Sequence, residues 1–172
     1  MKIKLLDLNK QYKLIQAELE SVWAQINNTS DYINGNEVKQ FEKSFSTYLN
    51  AKYCIACGNG TDALEIILKS LNIKKGDEVI VPAMTFFATA EAVSNVHATP
   101  VFCDINLKDY TIHTELIEKH ITSSTKAIIA VHLYGNTAHL NEILAIAAKY
   151  SIYVIEDCAQ AHGATIGGKM VG

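Results

Sequence analysis

The sequence contains no arginine. All fifteen basic residues are lysines, scattered so that no run exceeds Lys74-Lys75. A nucleic-acid footprint needs a basic cluster or stripe, so no nucleic-acid partner is expected. No apolar stretch approaches the length of a membrane span. The opening M-K-I-K-L-L-D-L-N-K has neither an apolar signal core nor a small-residue cleavage site. No membrane partner is therefore expected, and a cytoplasmic location is the default. Neither G-x-G-x-x-G nor G-x-x-x-x-G-K-[ST] occurs, which speaks against a dinucleotide-dependent dehydrogenase and a Walker-type nucleotide site. Cysteine is sparse: Cys54, Cys57, Cys103 and Cys158. Cys54 and Cys57 form a C-x-x-C, but no second pair completes a zinc site. In a strand, residues three apart also point to opposite faces. Four buried, reduced thiols and no metal are the expectation.

What is present is a core. Apolar residues make up 49 % of 172 and charged residues 19 %, with a net charge of −3. That composition belongs to a folded domain with a sizeable interior. Ile15, Leu19, Val22 and Ile26 follow helical spacing within Gln11–Asn27, and Val38, Phe41, Phe45 and Tyr48 resume it after a break rich in turn residues. From residue 53 the rhythm becomes strand, loop, helix, repeated. Strands are expected at Tyr53–Cys57, Glu78–Val81, Thr99–Cys103, Lys126–Val131 and Tyr153–Ile155. Helices are expected at Thr61–Leu71, Ala88–Val96, Thr114–Ile121 and Asn141–Tyr150. Short, nearly continuous apolar strands alternating with helices argue for an α/β fold, a parallel sheet covered on both faces. The chain stops at Gly172, just after the fifth expected strand, where such a domain would usually continue.

In open α/β sheets, ligands bind outside the carboxyl ends of the strands. Those ends deliver G-N-G-T (Gly58 to Thr61), P-A-M-T-F-F (Pro82 to Phe87), Asp104, H-L-Y-G (His132 to Gly135) and Asp157. G-N-G-T followed by a helix suits an anion such as phosphate: glycine allows close approach, and the helix start offers free N–H groups. It is equally an ordinary turn capped by Thr61. Phe86 or Phe87 can stack on a flat heterocycle or belong to the core. Asp157 can pair with a protonated ring nitrogen, with Gln160 bonding another ring substituent, or it can cap the segment that follows. His132 and His162 are pocket or structural histidines. Taken together, a phosphate tail, a stacking ring and a ring nitrogen wanting a carboxylate describe pyridoxal 5′-phosphate.

The motifs L-D-L-N-K-Q-Y, Y-I-N-G-N-E-V-K-Q-F-E, A-K-Y-C-I-A-C-G-N-G-T-D-A-L, K-K-G-D-E-V-I-V-P-A-M-T-F-F-A-T-A, V-H-L-Y-G and V-I-E-D-C-A-Q-A-H-G-A follow one another in order. Through them the chain resembles the N-terminal portion of the DegT-type sugar-nucleotide aminotransferases. The resemblance implies a fold-type I aminotransferase large domain, α/β with a mostly parallel sheet, here truncated. It divides the chain into a helical segment, 1–50, and a partial cofactor-binding domain, 51–172. It also implies the cofactor pyridoxal 5′-phosphate, with transfer of an amino group, from glutamate in many relatives, to a nucleotide-linked keto sugar. By resemblance Gly60 and Thr61 form the phosphate-binding turn. Phe86 stacks on the pyridine, Asp157 partners its nitrogen, and Gln160 bonds the phenolic oxygen. A homodimer is implied, with Tyr32 to Glu37 near the interface. The lysine that forms the Schiff base is expected beyond Gly172, and Lys169 does not match it, so no catalytic residue is assigned within this chain. Two other readings remain: a sugar dehydratase of the same fold, with histidine in place of that lysine, and a non-catalytic binding or dimerisation module. With no arginine, nucleotide phosphates cannot be held by arginines of this segment.

Overall fold

The computed structural model describes residues 6–172. They divide into two compact units, one ending at Cys54 and one beginning at Ile55.

The first unit is helical. Helix α1 (Leu8–Thr29) starts where the Asp7 side chain accepts from the Lys10 N–H, and it stops at Ser30 in the left-handed conformation. Helix α2 (Asn36–Leu49) ends the same way at Asn50. Both run a few residues beyond the apolar periodicity, because caps and not hydrophobic spacing set helix ends.

The second unit is a parallel sheet between helices. Its strands are β1 (Glu78–Pro82), β2 (Thr99–Cys103), β3 (Thr125–Val131) and β4 (Tyr153–Asp157), in the order β2-β1-β3-β4. Four helices belong to this unit: α3 (Gly60–Ser70), α4 (Phe87–Asn95), α5 (Thr114–His120) and α6 (Leu140–Tyr150). Side chains alternate between two cores along β1, β3 and β4. Val79, Val81, Ala127 and Ile129 join Leu64, Leu68, Ala92 and Val93 on the α3–α4 side. Ile80, Ile128 and Ala130 join Ile117, Ile143 and Ala147 on the α5–α6 side. Burial on both faces explains why the strands read as unbroken apolar runs. A short antiparallel pair, β5 (Thr165–Ile166) and β6 (Lys169–Met170), follows β4, turning through Gly167 and Gly168 at positive φ.

Tyr53–Cys57, expected as a strand, joins neither sheet of the described residues, and its Ile55 is 82 % exposed. The cysteines also differ from expectation: Cys103 alone of the four is buried, while Cys57 is exposed and its thiol donates to the Asn59 carbonyl at 3.3 Å. Cys57 belongs to the turn before α3, not to a packed strand.

The chain leaves β1 through α4 toward β2, and leaves β3 through α6 toward β4, on opposite faces of the sheet. The connections therefore diverge between the carboxyl ends of β1 and β3, opening a crevice there.

Away from this crevice, Asp109 ties the segment after β2 to the start of α6. Its Oδ2 lies 2.8 Å from His139 Nε2, and its Oδ1 accepts from the Thr111 N–H and hydroxyl. The His139 bond, helped by Thr111, holds the Asp109 carboxyl down at about 2. The same bond raises the His139 imidazole above its ordinary 6.5, with the Asp109 and Glu142 charges adding to it. A raised histidine contributes stability fully below its unfolded value and loses it as pH rises through the folded one. A lowered aspartate contributes above its unfolded 3.8 and loses that contribution as pH falls through about 2. The pair is thus most stabilising between those two unfolded values. His139 is 46 % exposed, so solvent screening keeps the contribution below about 1 kcal/mol. Denaturation of the parent and of His139→Gln from about pH 5 to about pH 9 is expected to show a parent advantage that fades as pH rises; a gap that widens would contradict the pairing.

Candidate active site

The crevice holds a cavity of about 400 Å³, within the usual range for a small-molecule site. All five residues singled out in the sequence line it: Gly60, Thr61, Phe86, Asp157 and Gln160. Leu64, Ala88, Val131 and Leu133 supply apolar wall.

Gly60 and Thr61 open α3. The helix is capped by Asn59, whose side chain accepts from the Asp62 N–H at 2.9 Å while its carbonyl accepts from Ala63 N–H at 3.0 Å. The N–H groups of Gly60 and Thr61 and the Thr61 hydroxyl have no hydrogen-bond partner among the described residues. These donors, at the positive end of a helix dipole, face the cavity and suit an anion. Asp62 would oppose one, but its carboxylate is turned back to Asn59 Nδ2 at 3.1 Å. It lies over Gly58, where a Cβ would collide with it.

Phe86 is the N-cap residue of α4, in an extended conformation, with 69 % of its surface exposed. A ring so exposed is not a core aromatic; it presents a face to whatever fills the cavity. Phe87 is also exposed and is not part of the lining.

Asp157 ends β4. Its Oδ1 accepts from the Ala159 N–H at 3.2 Å, and its Oδ2 from the Thr89 hydroxyl at 3.3 Å. No cation of the protein pairs with it in any ion pair among the described residues. A partly buried carboxylate held by two neutral donors is prepared for an external cation.

Gln160 follows on the next turn. Its Oε1 accepts from the Tyr134 N–H at 2.8 Å. A backbone N–H can only donate, so this bond fixes the amide orientation and leaves Nε2, with two protons, as the end available to a ligand. Tyr134 holds a left-handed conformation (φ 57°) to reach it, and Gly135 follows at φ 81°. Left-handed backbone in a non-glycine residue is uncommon, and here it serves the site.

The two histidines left open by the sequence part company. His132 lines the cavity wall but its side chain is fully buried. Its Nδ1 accepts from the Ala138 N–H at 2.9 Å, so Nε2 carries the proton and donates to Glu156 Oε2 at 3.1 Å. His132, then the Gly172 N–H, hold the Glu156 carboxyl below its usual value against the cost of burial. His132, Glu156 and Cys158 lie close enough to suggest a metal cluster. That tautomer opposes it: a metal on Nε2 would require Nδ1–H, which would face the Ala138 N–H. Burial and the adjacent Glu156 and Asp157 charges also push the Cys158 thiol up to about 12, so its thiolate is costly. His132 is structural. His162 is exposed and outside the cavity lining.

Sequence reasoning did not single out Thr89, a fully buried hydroxyl on α4. Its only signal is a threonine among alanines in F-A-T-A-E-A.

A cavity at a parallel-sheet switch point, with free donors at a helix start, an exposed ring and a carboxylate in no ion pair among the described residues, suits the class of planar ligands that carry both an anionic group and a cationic nitrogen. Residues 13–172 match the family model of the DegT/DnrJ/EryC1/StrS aminotransferase family. The chain is 46 % identical over 170 residues to dTDP-3-amino-3,6-dideoxy-alpha-D-galactopyranose transaminase from Aneurinibacillus thermoaerophilus, covering 99 % of this chain and 47 % of that protein. It is 44 % identical over 167 residues to UDP-2-acetamido-2-deoxy-3-oxo-D-glucuronate aminotransferase from Pseudomonas aeruginosa, covering 97 % of this chain and 46 % of that one. The crystal structure of NtdA from Bacillus subtilis with bound cofactor PMP superposes with a TM-score of 0.91 at 38 % identity, over 99 % of this chain and 39 % of that one. The chain therefore belongs to the DegT/DnrJ/EryC1/StrS aminotransferase family and has its α/β, fold-type I architecture. It spans about half the length of the curated relatives it matches.

Proposed function

We propose that this chain is the cofactor-holding portion of a pyridoxal 5′-phosphate-dependent aminotransferase. Its reaction moves an amino group, from glutamate as donor, to the ketone of a nucleotide-linked sugar. One observation carries the reading: Gly60, Thr61, Phe86, Asp157 and Gln160, delivered by three separate stretches of chain, line a single cavity. Two of the relatives above are named as a transaminase and an aminotransferase, which favours amine transfer over the dehydratase reading.

The residues fit the cofactor's chemistry. The free N–H groups of Gly60 and Thr61, with the Thr61 hydroxyl, bind its phosphate. Phe86 covers one face of its ring and excludes water. Gln160 Nε2 donates to its phenolic oxygen. Asp157 holds a proton at its ring nitrogen. When bound, the cofactor supplies an electron sink for the pair released as the substrate carbon loses its proton. The lysine that carries it covalently and moves that proton is proposed to lie outside residues 1–172. Residues 51–172 are proposed as part of the cofactor-binding domain and 1–50 as a helical segment of a cytoplasmic homodimer, with Tyr32 to Glu37 near the partner.

Pyridoxamine 5′-phosphate tests the reading because it needs no lysine to bind. Titration of the 172-residue chain, followed by ligand fluorescence, is expected to saturate. Pyridoxamine, which lacks the phosphate, is expected to bind far more weakly. Equal binding of the two, or none of either, would refute the reading. Phe86→Ala is expected to weaken pyridoxamine 5′-phosphate binding roughly two- to tenfold, the worth of a lost ring contact; an unchanged Kd would remove Phe86 from the site.

A further inference from the structure

We infer that Thr89 is a positioning residue for Asp157, acting with Thr85 as a hydroxyl relay; this rests on the cofactor reading above. Thr89 is fully buried in the first turn of α4, three residues after Phe86, whose carbonyl accepts its N–H at 3.1 Å. Its hydroxyl reaches Asp157 Oδ2 at 3.3 Å and lies 2.9 Å from the Thr85 hydroxyl. A hydroxyl has one proton. With Thr89's proton on the carboxylate, Thr85 must donate to Thr89, so the order is Thr85, Thr89, Asp157.

Among the described residues, two donors hold the Asp157 carboxylate: Ala159 N–H on one oxygen and Thr89 on the other. Two donors on two oxygens fix the plane of the group. With one removed, the carboxylate can rotate about its last bond, and its alignment on a ring N–H degrades. The Thr89 contact is long for O–H···O, as hydrogen bonds at sites awaiting their ligand often are. The same short stretch, Thr85 to Thr89, also carries Phe86. One helix start thus sets both the stacking ring and the carboxylate angle, so ring height and ring-nitrogen contact are coupled through the backbone. Among the described residues the Thr89 hydroxyl does not bond back to a carbonyl of the preceding turn, as a threonine within a helix often does, but reaches across 68 residues of sequence to the site.

The test compares pyridoxamine 5′-phosphate with its 1-deaza analogue, in which C–H replaces the ring nitrogen. A residue that acts through Asp157 affects only the ligand with a nitrogen to hold. In the parent chain, the natural ligand is expected to bind more tightly than the analogue. Thr89→Val, which keeps shape and loses the hydroxyl, is expected to weaken the natural ligand about tenfold and leave the analogue unchanged. Thr89→Ser is expected to restore the parent's preference. Thr85→Val, which leaves the buried Thr89 methyl in place, is expected to shift the preference in the same direction by less, and circular dichroism checks that each variant folds. Equal weakening of both ligands by Thr89→Val would make Thr89 a packing residue and overturn the inference. So would a parent-like preference in that variant. A parent chain that binds neither ligand, or both alike, would instead overturn the cofactor reading and this inference with it.

Discussion

Asp157→Asn is expected to weaken binding of pyridoxamine 5′-phosphate roughly ten- to a hundredfold, the worth of a hydrogen bond to a charged group. In a protein that contains this segment and the Schiff-base lysine, it is expected to slow amine transfer about 10²- to 10³-fold. The substitution changes little in shape. Asparagine Oδ1 can still accept from the Ala159 N–H, and its Nδ2 in the place of Oδ2 can donate to the Thr89 hydroxyl, which then turns its own proton to Thr85. What it loses is negative charge at the end of β4, where no other acidic oxygen takes part in the cavity lining. Without that charge the ring nitrogen has no reason to stay protonated, and the electron sink weakens. Single-turnover kinetics, which isolate the chemical step from binding, read the rate directly. A mutant that transfers at the parent's rate would take Asp157 out of the chemistry and return it to the role of a cap.

His132→Ala is expected to cost the fold about 3–5 kcal/mol without any role for His132 in the reaction. Its ring is fully buried and both nitrogens are engaged. Removal strands the buried Ala138 N–H before α6, and takes from the half-buried Glu156 the donor that most favours its ionised form. It also opens a cavity between the ends of β3 and β4. Glu156→Gln is the contrasting variant: its amide oxygen still accepts from Nε2, so the loss should be near 1 kcal/mol. Denaturant unfolding of both, with slopes compared, distinguishes them. Near-parent stability for His132→Ala would mean that the backbone closes over the gap and that the histidine is present for some other reason.

The parallel strands were legible because burial on both faces leaves a plain mark. Thr99–Cys103 is the same in sequence and structure, and Glu78–Val81 and Lys126–Val131 each differ by one residue. Tyr153–Ile155 extends to Asp157 because the β4 ladder continues past the apolar run, pairing Glu156 and Asp157 with Ala130 and Val131. Tyr53–Cys57 joins neither sheet of the described residues; pairing is a property of two segments, and a single apolar stretch does not declare its partner.

By itself, the sequence determined the α/β rhythm and the strand ends at which a ligand was expected, and its ordered motifs, through the family resemblance, the five residues that line one cavity. The rhythm and the strand ends are local properties: periodicity, a glycine-bearing helix start, a carboxylate at the end of an apolar run. Tertiary structure decided how those residues are held. Thr89 bears on Asp157, Tyr134 orients the Gln160 amide, and Ala138 and Glu156 set the His132 tautomer, across sequence separations of 68, 26, 6 and 24 residues. Hydrogen bonds select partners by distance and direction in space, and only the packed sheet brings strand ends so far apart in the chain to within 3.5 Å of one another.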